Sequence, residues 1–357
     1  MTAPTEALYL ADPDDLESLF PDEPPYRTRQ LKEWLYHSPV LDPGDMTNLP
    51  KSLRADLSDR LWPFDVTMEQ SADAGRTRKW LFRGNKDASI ESVLMGYRKR
   101  NTLCISSQAG CAMGCTFCAT GQFGFERHLE PGEIVAQVAY ARASLQSDPL
   151  PDCPDRLSNI VFMGMGEPLA NYRRVRESLR RMIEVMGISA RSITVSTVGV
   201  VPGIRKLADE PWPVNLAISL HAAKDDIRSS LVPLNDRYPI ADLIEAARYF
   251  FKSHGRRVSI EWTVIDGKND DRNSARDLAR VARRMRAHVN VIPLNPTPMS
   301  QDRPPDAGGI ARFMAALADE GVNATLRDTR GSDIDAACGQ LRIRAARTPE
   351  SRRRRAR

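Results

Sequence analysis

The chain has 357 residues, of which 41% are hydrophobic and 27% charged, with a formal net charge of +5. This composition is typical of a folded globular protein and excludes a wholly disordered chain. The sequence has no run of about 18 apolar residues, and its N-terminus lacks the basic start and apolar stretch of a signal peptide, so we expect a cytoplasmic protein that does not contact a membrane.

The two ends of the chain carry opposite charges. Residues 1–25 contain seven acids and no Lys or Arg, whereas residues 342–357 contain eight Arg and one Glu. We expect residues 1–25 to form an acidic, mobile N-terminus and residues 346–357 to form a basic, disordered tail. A basic tail can hold phosphates, but a plain solvated end accounts for the same charges equally well.

Two domains are predicted between these ends. Residues 26–95 form a small, mainly helical N-terminal domain with a short β-rich entry at its end. Leu31, Trp34 and Leu35 mark one apolar helix face in this domain.

Residues 96–345 form the larger domain, in which strands and helices alternate. The six strand candidates are TLCISSQ, NIVFMGM, ITVSTVGV, VNLAISL, VSIEWTVI and VNVIPLN. Six largely apolar strands separated by helices predict an α/β fold whose parallel sheet is covered by helices. The pattern fits a partial (βα)6 barrel and an open, doubly wound sheet equally well. A later strand candidate, NATLRDT, and a loop with Cys338 follow.

Three of the six cysteines share one short loop, GCAMGCTFCATG. Cys111, Cys115 and Cys118 follow the first strand of the larger domain, at the edge where parallel α/β folds place their chemistry. Three thiolates can bind three irons of a [4Fe–4S] cluster and leave the fourth iron open. The alternative is a structural zinc site with Cys104 as fourth ligand, although zinc sites generally pair their ligands from two loops.

The Cys-x3-Cys-x2-Cys loop resembles that of the radical S-adenosylmethionine (SAM) superfamily. A longer series of motifs resembles the RlmN family of dual-specificity RNA methyltransferases, from about residue 27 to about residue 345. These motifs are TRKWLFR, IESVLMGYRKRNTLCISSQAGCAMGCTFCATG, NIVFMGMGEPLANY, ITVSTVGVVPGI, LAISLHA, IPLNP and AACGQL. The resemblance implies a partial (βα)6 radical SAM barrel and an enzyme that forms 2-methyladenosine in 23S ribosomal RNA and in tRNA, at the adenosine 3′ of the anticodon.

The resemblance also implies the cofactors, a [4Fe–4S] cluster and two SAM molecules per turnover, and the roles of three residues. Cys338 accepts a methyl group from the first SAM, and the second yields a 5′-deoxyadenosyl radical that takes hydrogen from that methyl. The resulting carbon radical adds to C2 of adenine and links the RNA to the enzyme. Glu91 is the implied proton acceptor. Cys104 forms a disulfide with Cys338 as the methylated base leaves.

A set of SAM contacts is carried over from the same resemblance. They are Gly166, Glu167, Ser196, Ser219, Leu220, His221 and Asn295. Cys153 has no matching role and is interpreted as incidental. Considered without the family, Cys338 and Cys104 fit buried structural thiols and Glu91 fits an outward-facing strand residue.

We expect a monomer that acts on 23S ribosomal RNA and tRNA and takes electrons from a flavodoxin- or ferredoxin-type protein. The N-terminal domain at residues 26–95 is a candidate for RNA binding, and the run Arg98, Lys99 and Arg100 is a candidate for phosphate contacts. Two alternatives stay open. A related enzyme type, which methylates C8 of the same ribosomal adenosine and confers antibiotic resistance, uses the same cysteines. A non-catalytic, zinc-stabilised RNA-binding protein is disfavoured because a simple binder needs no such series of strand-end motifs.

Overall fold

The computed structural model describes residues 7–84, 88–297 and 299–341, and the predicted basic tail at 346–357 lies outside them. Within these ranges the strands form one ten-stranded sheet and one two-stranded ribbon. No helix of the described ranges is both long and apolar enough to span a bilayer.

The strands, in chain order, are β1 (Phe64–Ala72), β2 (Thr77–Gly84), β3 (Ser89–Tyr97), β4 (Arg100–Cys104), β5 (Gln108–Gly110), β6 (Phe125–His128), β7 (Asn159–Phe162), β8 (Ile193–Thr197), β9 (Asn215–Ser219), β10 (Ser259–Val264), β11 (His288–Pro293) and β12 (Ala324–Leu326). The helices are α1 (Pro25–Tyr36), α2 (Lys51–Leu57), α3 (Ala119–Phe123), α4 (Pro131–Ser147), α5 (Tyr172–Arg180), α6 (Val201–Ala208), α7 (Asp225–Leu231), α8 (Ile240–His254), α9 (Arg272–Met285) and α10 (Ala307–Asp319).

The larger domain is an incomplete parallel barrel. Strands β4, β7, β8, β9, β10 and β11 contain the six predicted strands, and each pairs in parallel with the next along the chain. This order has no reversal, whereas the order of a doubly wound sheet reverses at its switch point. The predicted partial (βα)6 barrel is therefore confirmed. Strand β12 adds to β11 in parallel, and the wall stays open between β12 and β4.

Three antiparallel strands, β1 to β3, extend the barrel sheet beyond β4. The N-terminal domain is consequently less helical than expected, since most of the described residues between 64 and 97 lie in strands β1 to β3. Phe64, Trp80 and Phe82 lie in these strands, and their rings pack around Tyr140 of α4. This aromatic contact fixes the extension against the barrel.

The acidic N-terminal segment packs against the barrel within the described residues from 7 onward. Tyr9 is buried, and its hydroxyl donates a 2.7 Å hydrogen bond to the carbonyl of Leu35. The carboxylate of Asp12 lies 3.3 Å from the guanidinium of Arg180 at the end of α5. The sequence predicted a mobile segment here, whereas Leu8, Tyr9 and Leu16 are buried and Asp12 pairs with a cation of the barrel.

Candidate active site

The loop with the three cysteines is held between β5 and α7. Its first residue, Cys111, donates its N–H to the carbonyl of Gly124 at 2.8 Å, and Thr116 donates to the carbonyl of Leu231 at 3.1 Å. Gly110 precedes the loop with φ +73°, and a Cβ there would lie 2.1 Å from the Gly124 oxygen. A glycine is therefore required for the loop to approach its neighbour this closely.

Most of the predicted site residues line one cavity at the carboxyl edge of the barrel, which we call the cluster cavity. They are Cys111, Cys115, Cys118, Gly166, Glu167, Ser196, Ser219, His221, Asn295 and Cys338. Leu220 is not among them, because its side chain is fully buried in the hydrophobic core. The predicted convergence of strand-end residues is thus present in the fold.

The environment of the three loop thiols suits the binding of an iron–sulfur cluster. Burial raises the pKa of Cys111 to about 12 and also raises the pKa values of Cys115 and Cys118, so these thiols need a cation to become thiolates. Among the described residues, no three His, Cys, Asp or Glu side chains form a group that could hold a single metal ion. Cys104, the fourth ligand of the zinc alternative, lines a different cavity.

Glu167 presents a buried carboxylate to the cluster cavity. Its oxygens accept backbone hydrogen bonds from Leu169 at 2.9 Å and Val198 at 2.8 Å, and its own N–H donates to the Gln108 side chain at 2.8 Å. Burial raises its pKa to about 7. The groups that act on this carboxylate in the described chain are amides and the Thr197 hydroxyl, so an ammonium group of a ligand would be a favourable partner.

His221 is a neutral imidazole at the wall of the cluster cavity. Its Nδ1 accepts the N–H of Thr263 at 3.0 Å, and its ring meets the Phe117 ring edge-on at 4.5 Å. Burial and the nearby charge of Arg228 lower the pKa of His221 to about 3. Because Nδ1 is an acceptor, Nε2 carries the proton and can donate a hydrogen bond.

Cys338 is exposed on a loop that is tied to both sides of the cluster cavity. Ala119 donates its N–H to the carbonyl of Gly339 at 2.7 Å, and the Thr120 hydroxyl donates to the carbonyl of Leu341 at 2.7 Å. On the other side, the amide of Asn295 donates to the carbonyl of Cys338 at 3.0 Å. Asn295, predicted as a SAM contact, therefore also fixes the Cys338 loop.

A larger cavity of about 580 Å³, which we call the side cavity, lies at the open side of the barrel between β4 and β12. Its wall includes both Cys104 and Cys338, which are free thiols. Cys338, Met163, Ile292 and Asn295 line this cavity and the cluster cavity alike. The two cavities thus meet at Cys338.

Arginine side chains that sequence reasoning passed over make the side cavity cationic. Arg100, Arg327 and Arg330 line it, and the guanidiniums of Arg100 and Arg330 lie 4.5 Å and 5.2 Å from the centre of the Tyr97 ring. Of these, only Arg100 was singled out from the sequence. A signal for the others was available, since Arg327 lies in the last strand candidate, NATLRDT, and Arg330 directly follows it, at the edge that carries the other site residues.

Glu261 was also missed by the sequence analysis. It is a buried carboxylate on β10 that accepts a 2.7 Å hydrogen bond from Asn290, and Arg327 lies 3.9 Å away. Burial raises the pKa of Glu261, and the charge of Arg327 opposes that shift. Its signal was one acid inside the otherwise apolar strand VSIEWTVI, where a charge is rarely found without a partner.

Glu91 lines neither the cluster cavity nor the side cavity. It is buried on β3, where Lys79 Nζ lies 3.3 Å from its carboxylate, and the same ammonium donates to the carbonyl of Asp335 at 3.4 Å. Glu91 is therefore connected to the backbone of the Cys338 loop through Lys79 and does not share a cavity with the Cys338 thiol. Cys153 also lies outside both cavities and packs against Gly96.

Comparisons with known proteins agree with this geometry. The sequence model described as the radical SAM superfamily matches residues 105–279, and that of the ribosomal RNA large subunit methyltransferase N-terminal domain matches residues 11–62. A "Probable dual-specificity RNA methyltransferase RlmN" of Mycolicibacterium paratuberculosis is 50% identical over 331 residues, and one of Rhodococcus opacus is 47% identical over 331 residues; each alignment covers 89% of both chains. The crystal structure of a radical SAM methyltransferase from Sphaerobacter thermophilus superposes with a TM-score of 0.88 at 48% identity, over 95% of this chain and 99% of that one.

Proposed function

Because the chain belongs to the RlmN family of radical SAM methyltransferases, we propose that it forms 2-methyladenosine in 23S ribosomal RNA and in tRNA, at the adenosine 3′ of the anticodon. The observation that carries this proposal is the position of Cys338, where a cofactor-sized cavity and an open cationic cavity meet. A thiol at that junction can receive a group from one side and deliver it to the other.

Cys111, Cys115 and Cys118 would hold the [4Fe–4S] cluster, and Glu167 would accept hydrogen bonds from the ammonium group of SAM. When bound, these cofactors supply the adenosyl radical that removes hydrogen from a methyl group. Glu167 suits its role because its carboxylate is already fixed by two backbone amides and needs only a cation. His221 would orient the ligand through its Nε2 proton.

Cys338 would act as the methyl acceptor, in the form of a thiolate. Desolvation in the cavity raises the pKa of Cys338, and the positive charge of Arg327 opposes that shift, in the direction of the nucleophilic form. Cys104 lines the side cavity with Cys338 and would release the covalently linked RNA by forming a disulfide, which an external thiol reductant then reduces.

Glu91 remains our candidate for the proton acceptor on the RNA. Because Lys79 pairs with its carboxylate and also binds the loop of Cys338, Glu91 can act only when RNA binding opens that pair. We therefore propose that Glu91 serves as a base in the RNA-bound enzyme alone.

The side cavity would receive the target adenosine after it leaves its stack, which costs a few kcal/mol. Contacts of Arg100, Arg327 and Arg330 with RNA phosphates would offset that cost. We further propose that the enzyme works as a monomer in the cytoplasm, where its RNA substrates are found, with a flavodoxin- or ferredoxin-type electron donor.

The test compares wild type, Cys338→Ala and Cys153→Ala on ribosomal RNA and tRNA, with methylated adenosine identified by chromatography and mass spectrometry. Cys338→Ala should lose all methylation and keep its iron, and Cys153→Ala should match wild type. Methylation by Cys338→Ala would refute the methyl-cysteine route. Formation of 8-methyladenosine by wild type would refute the assignment to C2.

A further inference from the structure

Tyr97 lies beside two arginines in the side cavity. The guanidiniums of Arg100 and Arg330 lie 4.5 Å and 5.2 Å from the centre of its ring, and all three residues line the cavity. Arg100 pairs with Tyr97 across the turn between β3 and β4, whereas Arg330 follows β12. Because the barrel wall is open between β4 and β12, these three side chains connect the two edges of the opening.

Apolar side chains accompany Tyr97 inside the side cavity. They are Met95, Val161, Met163, Ile292 and Leu326. Phosphates are bound by cations and by polar groups, and they need no apolar or aromatic surface. By contrast, sites for single-stranded nucleic acids combine a cationic groove with aromatic side chains on which bases stack. The lining of the side cavity therefore suits a nucleotide with its base as well as its phosphate.

Tyr97 lies too far along the cavity to contact a base that reaches Cys104. Strand β4 runs from Arg100, the partner of Tyr97, to Cys104, a length of about 13 Å at the usual rise of a strand. Both ends of β4 line the side cavity, so the cavity extends along the whole strand. Stacked bases are only about 3.4 Å apart. A second nucleotide, next to the target adenosine, is therefore needed to reach Tyr97.

We propose that Tyr97 is an RNA-binding residue that stacks on an unpaired base flanking the target adenosine. This inference rests on the proposed function, because it requires RNA in the side cavity. A base stacks on an aromatic ring more strongly than an exposed guanidinium does, so it can take the place of Arg330, the more distant of the two arginines. The target adenosine then loses a stacking neighbour in the RNA, which favours its unstacked form.

A purely structural Tyr97 would only orient the two arginines. In that case its removal would weaken the binding of every RNA by the same factor, whether or not the flanking base is present. The measurement must therefore vary the RNA as well as the protein, and compare the two losses in a double-mutant cycle.

The experiment measures the affinity of the full-length, reconstituted enzyme for an RNA stem-loop that carries the target adenosine in its loop. In a set of matched RNAs, the target nucleotide and each flanking loop nucleotide are made abasic in turn. Tyr97→Ala should bind the intact stem-loop roughly 5- to 100-fold more weakly, the range for one stacked base. One flanking abasic RNA should weaken binding to wild type by a similar factor and cause no further loss in Tyr97→Ala. Tyr97→Phe keeps the ring and should match wild type.

Tyr249→Ala is the matched control. Tyr249 is also partly exposed and also lies beside an arginine, Arg205, whose guanidinium is 5.7 Å from the centre of its ring. It belongs to α8 and does not line the side cavity. This variant should bind every RNA of the set as wild type does.

Two results would show that Tyr97 does not stack on a flanking base. Either no flanking abasic RNA weakens binding to wild type, or its loss and that of Tyr97→Ala are additive. Coupling of Tyr97 with the target position alone would place the ring on the target adenine and also overturn the proposal. Absence of 2-methyladenosine formation by wild type on ribosomal RNA and tRNA would instead contradict the proposed function, so the two failures are distinguishable.

Discussion

The two cavities that meet at Cys338 differ in charge and in construction. The cluster cavity contains buried carboxylates, Glu167 and Glu261, and its walls are fixed by backbone hydrogen bonds. The side cavity is open and lined by arginines, two of which stack on Tyr97. An acidic, fixed pocket suits a small cation, and an open cationic one suits a polyanion. The difference teaches that cofactor and RNA can be held by separate residues, with one thiol accessible to both.

This separation predicts that Glu167→Gln weakens binding of SAM and leaves binding of RNA unchanged. The variant keeps the shape of the side chain and loses its charge, and a hydrogen bond to a charged group contributes about 1.5–3 kcal/mol. We expect a loss of roughly 10- to 100-fold in SAM affinity. Anaerobic calorimetry with SAM and filter binding with an RNA stem-loop measure the two affinities. Equal loss in both assays would show that the cavities are not independent.

The converse prediction concerns the rim of the side cavity. Arg100→Ala and Arg330→Ala should each weaken RNA binding about 3- to 10-fold and reduce the salt dependence of log K by about 0.7, the value for one phosphate contact with a single strand. SAM affinity should not change. Arg272→Ala, which removes an exposed arginine paired with Asp319 on another face, serves as the control. An unchanged salt dependence would exclude phosphate contacts by Arg100 and Arg330.

A smaller effect is expected from substitution of His221, which tests whether water is excluded from the cluster cavity. Its pKa is lowered from 6.5 to about 3 by burial, so the unfolded state takes up the proton first as the pH falls. The stability that the neutral ring contributes is present above pH 6.5 and is lost progressively as the pH falls from 6.5 towards 3. Between pH 7.5 and 5.5 this loss amounts to about 1.4 kcal/mol.

The measurement is the free energy of unfolding of wild type and His221→Gln at both pH values. Other groups titrate alike in the two proteins, so the difference between their pH dependences reports on His221. His221→Gln should be the less pH-sensitive protein. Identical pH dependences of the free energy of unfolding in the two proteins would mean that water reaches the imidazole. The cluster cavity would then not differ from the side cavity in its exposure to water.

The sequence predicted the barrel well and the N-terminal region poorly, for physical reasons. Six apolar strands are easily recognised because both of their faces are buried. Strand β1 was missed because it lies at the sheet edge with most of its side chains exposed and polar. The segment around Tyr9 was predicted to be mobile because it is rich in Pro and Asp, and Arg180, the cationic partner of Asp12, lies 168 positions away in the sequence.

The candidate site was also predicted only in part. The positions of Cys111, Glu167 and Asn295 at one edge follow from the rule that parallel strands end together. No local pattern pairs Arg327 with Glu261, because Glu261 lies on β10 and Arg327 follows β12. Glu91 was correctly located on a strand, but no local pattern shows that it is buried beside Lys79 of the neighbouring strand β2.

The hydrogen bonds from Ala119 and Thr120 to the loop of Cys338 begin one residue after the third cysteine of the cluster loop. The position of the methyl-accepting sulfur would therefore depend on whether the neighbouring cluster loop holds its metal. Oxidative loss of iron would displace that sulfur in the same event. A damaged enzyme would then methylate no RNA. It would also not load Cys338 with a methyl group that could not be transferred further.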